Sequence, residues 1–376
     1  MKQSTSSTTR STILTLLLIL GSTLGTVFIG ETGLQLFYRV QQGSWLWENS
    51  GFRIGYTQPV EDRRQYSLRP LYKDEKTGIS IDQRGFRETL AQEGVGNKVI
   101  ICLGDSVPFG AGVRDKETYA FYLAEKLRTN GWAVDVINAG IPSYNLRQSL
   151  DRLRKDVFAL YPPEQIVLVT IEAANDISLL TYYGPEWNPD LTWAQVRWSH
   201  TWESTIGLQR FAVFHYLAPA LSAIWKKRAA PSSKPVNSDN YQDKKHEMLA
   251  HVRSVLHEEL AFLQKYSIPV VLMPINPFYY QLSGQEKNAN LKNWMAMQVY
   301  VHDWDELIRQ YNDSLASVAK ESDNAFFLET RQSMDALDRN QLYIDYIHHS
   351  PEGNRLVADI LFDFVVTKIG LSAALK

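Results

Sequence analysis

From Val99 onward the chain alternates short, β-branched apolar runs with longer amphipathic stretches, and that rhythm limits the folds open to it. Val99–Leu103, Val134–Asn138, Gln165–Ile171, Pro269–Met273 and Asn324–Leu328 read as strands. Thr118–Asn130, Leu146–Leu160, His246–Tyr266 and Asn290–Val318 read as helices. In Leu146–Leu160, the apolar residues Leu150, Leu153, Val157 and Leu160 recur at helical spacing. A closing helix is expected from Pro351 to Ile369, with Ser350 as its N-cap and Pro351 in its first position. Strands that alternate with helices pair in parallel, so the rhythm predicts an α/β fold with a parallel sheet covered on both faces. The 376 residues suffice for one large domain or two smaller ones, and no internal repeat is visible.

Residues 184–245 interrupt the rhythm with Trp187, Trp193, Trp198, Trp202 and Trp225. Lys226–Lys245 is polar, contains Pro231 and Pro235, and reads as a flexible loop. The whole stretch reads as a Trp-rich insertion. It offers either aromatic faces for sugar rings or a hydrophobic cap.

The N-terminus carries a second constraint. Lys2 and Arg10 precede an apolar run from Thr12 to Gly30, and Glu31 follows it. That length and those flanks predict a transmembrane signal anchor over 12–30, with 1–11 as a cytoplasmic tail and the remainder exported. A cleaved signal peptide is the rival reading. The expected location is therefore a single-pass cell-membrane protein with its main domain on the periplasmic side. Residues 31–98 form an anchor-proximal segment, with Ile79–Ile81 as a short strand and Arg84–Arg87 as a turn. Net charge is −2, which gives no electrostatic footprint for nucleic acid. The single cysteine, Cys102, has no internal disulfide partner and reads as a small buried hydrophobe.

Polar chemistry collects where the strands end. Val99–Leu103 runs into Gly104-Asp105-Ser106, which puts a hydroxyl at a strand's carboxyl end, where open α/β sheets bind ligands. A serine there is a nucleophile if a base reaches it, and otherwise a turn residue or helix cap. Asn138–Asn145, after the second strand, offers backbone N–H groups at Gly140 and Ser143. Asn175, after the third strand, offers a neutral amide for an oxyanion, or forms a turn with Asp176. Asp345 and His348 lie three residues apart before the closing helix, and His349 is an adjacent competitor. Histidine supplies a base near neutral pH, and a carboxylate can fix its tautomer. Alone, each element is as well explained by a loop.

Together these blocks resemble the SGNH hydrolases, the GDSL esterase and lipase superfamily, over residues 99–180 and 266–370. The resemblance is to bacterial membrane-anchored members, on Ile81–Arg87 ahead of the nucleophile strand. It implies a flavodoxin-like three-layer α/β/α sandwich. It also implies Ser106 as nucleophile, His348 as base, Asp345 as its partner, and an oxyanion hole from Ser106, Ser143 or Gly140, and Asn175. Two positions depart from the family pattern: Ser143 stands where the later glycine of the second block is expected, and Ala173 replaces the glycine of the third. The implied function is hydrolysis of carboxylic acyl or acetyl esters without cofactor or metal, on an ester substrate that is an acylated glycan or a lipid. O-acyl transfer to an envelope polysaccharide and a non-catalytic anchored protein are the alternatives.

Overall fold

All five apolar runs form strands, and they join one sheet. Lys98–Gly104 (β1), Val134–Gly140 (β2), Ile166–Glu172 (β3), Val270–Leu272 (β4) and Ala325–Phe327 (β5) lie in the order β2-β1-β3-β4-β5. Every pairing is parallel. The computed structural model describes residues 5–42, 45, 56–90, 98–193, 238–277 and 304–370. The described residues fall into two units, one ending at Pro59 and one beginning at Val60. The main helices are α1 (Thr5–Gln42), α2 (Ser106–Phe109), α3 (Tyr119–Thr129), α4 (Leu146–Arg152), α5 (Asn175–Tyr183), α6 (Ser238–Gln264), α7 (Trp304–Lys320) and α8 (Pro351–Phe364).

Alternate strand residues face opposite layers. Ile100, Cys102 and Leu168 pack with Leu123 and Leu127 of α3 and Val357 and Leu361 of α8. On the other face α4 lies against β1 and α7 against β4 and β5, while α6 packs against α4, α5 and α7. Each fully buried aliphatic side chain in these layers is worth about 1.5–3 kcal/mol. Cys102 is fully buried and free, and burial pushes its thiol up to about 12, so it behaves as a hydrophobe.

Several sequence expectations are corrected in detail. The helix expected from His246 starts at Ser238, so the end of the expected loop Lys226–Lys245 is helical. Tyr241, Lys245, Met248 and Val252 are all buried at helical spacing, and the lysine in that stripe hides the period. Residues 226–237 lie outside the described residues. Leu146–Leu160 is helical but passes through a π-turn at Leu153–Val157. The wider turn carries Leu160 out of the apolar stripe, where it is 46% exposed. Of the helix expected over Asn290–Val318, the described part is α7, and residues 278–303 lie outside the description. The closing helix begins as expected, with Ser350 Oγ accepting from Gly353 N at 3.1 Å and Pro351 next.

The apolar run 12–30 lies within α1, where Leu18, Ile19, Leu20, Leu24, Val27, Phe28 and Ile29 are exposed. The side chains of residues 11–14, 16 and 17 lie outside those described. Among the described residues, no helix is long and apolar enough to cross a membrane.

Residues 60–90 belong to the α/β unit and brace it. Ile79–Ser80 pairs antiparallel with Lys73–Asp74, and the turn at Gly85 follows. Arg87 then bridges to Asn138 of β2, and its guanidinium is fully buried. It donates to Asp115 Oδ1 at 2.9 Å, to the carbonyls of Phe109 at 2.7 Å and Gly110 at 2.6 Å, and to Val113 O at 2.6 Å. Those carbonyls lie at and just beyond the end of α2, so Arg87 fastens the helix that begins with Ser106. Arg87→Met should therefore lower unfolding free energy by about 3–5 kcal/mol, read by urea denaturation. A loss within about 0.5 kcal/mol, the range of an ordinary surface substitution, would show that the buried guanidinium is not a brace.

Candidate active site

The sequence reverses direction in the sheet at β1, with β2 on one side and β3 on the other. Ligands of such sheets sit at that switch, beyond the strands' carboxyl ends. There Gly104 has φ +148°, and a Cβ on it would fall 1.8 Å from Glu172 O of β3. Only glycine lets the chain leave β1 so close to its neighbour. Asp105 follows as the N-cap of α2, its Oδ1 accepting from Val107 N at 3.1 Å, and Ser106 opens the helix.

Ser106 Oγ lies 2.8 Å from His348 Nε2, and His348 Nδ1 lies 2.7 Å from Asp345 Oδ2. The other carboxylate oxygen accepts from the backbone N–H groups of Ile347 at 2.9 Å and His348 at 2.8 Å. Those two bonds lock the carboxylate before it meets the ring. With Asp345 accepting, Nδ1 carries the proton and Nε2 is left to accept from the serine hydroxyl. Burial opposes ionisation of Asp345, but the hydrogen bonds and charge of His348 outweigh it and hold the carboxyl below its ordinary value. The pair's contribution is therefore complete at neutral pH and is lost only as pH falls through that lowered value. His349 does not compete. It is buried against Tyr343, and burial brings its pKa down to about 3, so it is neutral.

The structure sorts the expected oxyanion donors. The N–H of Gly140 is already given to Asn138 Oδ1 at 3.1 Å, which removes it from the set. Its glycine identity has another cause, since a Cβ there would lie 2.3 Å from Phe109 N. Ser143 sits third in the turn Ile141–Tyr144, after Pro142, with φ +68°. That is the position of a Pro-Gly-type turn that demands positive φ, and the serine adopts it at a cost of about 1–2 kcal/mol. Tyr66 OH donates to Pro142 O at 2.9 Å and the Tyr144 hydroxyl donates to Tyr66 O, so the turn is held from outside. The N–H groups of Ser106 and Ser143 meet no acceptor among the described residues.

Asn175 is present but engaged. Its Nδ2 donates to Asp105 Oδ2 and to Tyr144 O, each at 3.0 Å. Its Oδ1 accepts from Trp193 Nε1 at 2.9 Å. The amide can serve an oxyanion only by giving up Tyr144 O or Asp105 Oδ2. Ala173 and Ala174 keep negative φ, so the missing glycine costs this turn nothing.

Two residues seen in the sequence make contacts that their spacing does not announce. Asp105 Oδ2 also accepts from Ala174 N at 2.8 Å, so one carboxylate joins the ends of β1 and β3. Burial pushes Asp105 up to about 6 against the pull of the Ala174 and Val107 N–H groups. Trp193 fixes which way the Asn175 amide faces. Trp187 is buried, and Trp198, Trp202 and Trp225 lie outside the described residues.

No family model and no curated protein matches the chain. Among solved structures it is similar to TesA, at 12% identity over 72% of this chain and 99% of that chain, with a TM-score of 0.41. It is also similar to a lipase/acylhydrolase from Enterococcus faecalis, at 16% identity over 71% and 95%, TM-score 0.39. A third is a catalytic mutant of Axe2, an acetylxylan esterase from Geobacillus stearothermophilus, at 16% over 75% and 98%, TM-score 0.38.

The 2.8 Å contact gives a direct test of nucleophilicity. A fluorophosphonate probe should label Ser106, and His348→Ala should slow labelling by at least about 100-fold. Equal labelling of wild type and Ser106→Ala would show that this hydroxyl is not the reactive group.

Proposed function

We propose that this chain is a membrane-anchored, extracytoplasmic serine esterase that cleaves carboxylic acyl or acetyl esters. The observation that carries the reading is the unbroken chain Asp345–His348–Ser106, with contacts of 2.7 Å and 2.8 Å at the sheet's switch point. Ser106 Oγ attacks the ester carbonyl while His348 Nε2 takes its proton. Asp345 holds the imidazolium that results. The oxyanion is met by the N–H groups of Ser106 and Ser143, with Asn175 adding its amide as the Tyr144 bond is released. His348 returns the proton to the leaving alcohol, then takes one from the water that attacks the acyl-enzyme carbonyl, and gives it to Ser106 Oγ as that ester bond breaks and the acid leaves.

The anchor reading rests on the apolar run 12–30, on Lys2 and Arg10 ahead of it, and on the exposed apolar side chains along α1. An acylated glycan suits the alcohol side, since acetylxylan esterases are among the structures this chain is similar to.

In a p-nitrophenyl acetate assay, Ser106→Ala should cut kcat by about 1000-fold or more in a folded protein. Asp345→Asn should cut it by about 100-fold or more, because an amide N–H facing Nδ1 selects the wrong tautomer. Wild-type turnover retained in Ser106→Ala would end the reading.

A further inference from the structure

Beside Asp105 the fold holds a small cavity of about 10 Å³ lined by Asp105, Glu172, Asn276 and His349 among apolar neighbours. Three of these lining residues each have a buried side-chain atom with no hydrogen-bond partner among the described residues: Glu172 Oε2, Asn276 Oδ1 and His349 Nδ1. Each residue is 6% exposed. They come from three places, namely the end of β3, the segment after β4 and the loop that carries His348. Orphaned polar atoms of this kind are rare in folded proteins, and three on residues that line one cavity call for an explanation. The volume suits one water, which typically makes about three hydrogen bonds.

We propose that one internal water molecule binds in this cavity and bridges Glu172 Oε2, Asn276 Oδ1 and His349 Nδ1. The protons balance. No cation meets the Glu172 carboxyl among the described residues, and Asp105 beside it is of like charge, so Glu172 is a neutral acid and donates its O–H to the water. The water gives one hydrogen to Asn276 Oδ1 and the other to the unprotonated Nδ1 of His349. Asn276 cannot turn away without loss, because its Nδ2 is held by Thr330 Oγ1. Burial supports both protonation states, raising the Glu172 carboxyl and keeping His349 neutral.

The consequence is positional. The water ties the loop of Asp345 and His348 to the ends of β3 and β4 through the neighbour of the base. Glu172, Asn276 and His349 are then positioning residues, not catalytic ones.

The test is a crystal structure of the full chain at a resolution that shows ordered water. One peak should lie about 2.7–3.2 Å from all three atoms. It should persist in Glu172→Gln and vanish in Glu172→Leu. An infrared difference spectrum of wild type against Glu172→Gln should show the carbonyl stretch of a protonated carboxyl. An empty cavity in a well-ordered map, direct pairing between any two of the three side chains, or a peak that fades when sodium is exchanged for a bulky organic cation would each overturn the proposal.

A kinetic arm rests on the esterase reading: Glu172→Leu should lower kcat by about tenfold with little change in KM, and Glu172→Gln should recover most of it. Equal kcat in all three proteins would overturn the positional role. The density arm needs no activity, so an inactive wild type with the water in place would end the esterase reading alone.

Discussion

The site depends on one buried carboxylate. Asp105 accepts from Val107 N, Ala174 N and Asn175 Nδ2, at 3.1, 2.8 and 3.0 Å. These bonds fix the start of α2, the turn after β3 and the Asn175 amide. A backbone strand pair alone could not do this, because β1 and β3 stop pairing at Gly104 and Glu172. Beyond that point only Asp105 N still bonds across, to Glu172 O at 3.2 Å, and the Asp105 side chain makes the remaining link to Ala174 N. An aspartate is short enough to reach its own helix and charged enough to hold three N–H donors.

Around this carboxylate the fold layers its supports. Arg87 fastens the end of α2, Tyr66 and Tyr144 fasten the Ser143 turn, and Trp193 fastens Asn175. Each support reaches the site from a different stretch of sequence, so the Ser106 hydroxyl is held by residues spread over most of the α/β unit. The acids beneath it, Asp105, Glu172 and Asp176, are all shifted upward by burial. The exposed acid, Asp345, is shifted downward by His348. Environment thus separates a buried group of carboxyls from the one that meets the His348 ring.

Much of this was legible in the residues. The strand runs were read to within a few residues because β-branched apolar runs bounded by polar turns leave little ambiguity. The closing helix was read from Ser350 and Pro351, whose cap chemistry is local. The start of α6 was missed because Lys245 occupies a buried position in its stripe. Leu160 was misplaced because a π-turn adds a residue that no apolar pattern announces. The sequence places residues 60–90 only within an anchor-proximal segment, because their contribution to the α/β unit is hydrogen bonding by Arg87 and Tyr66, which carries no periodicity.

The sequence by itself determined the parallel sheet, the helices that cover it, and the set of groups that could form one site. Those properties follow from local spacing, from side-chain polarity and from which residues can cap a turn. Tertiary structure alone decided between His348 and His349, between Ser143 and Gly140, and the engaged state of Asn175. Adjacent residues in a loop differ only in which way they point, and that is set by contacts from distant segments. His348 turns outward to Ser106 because Asp345 and its own backbone N–H close a turn beneath it. His349 turns inward because Tyr343 and the end of β3 leave a buried place for it.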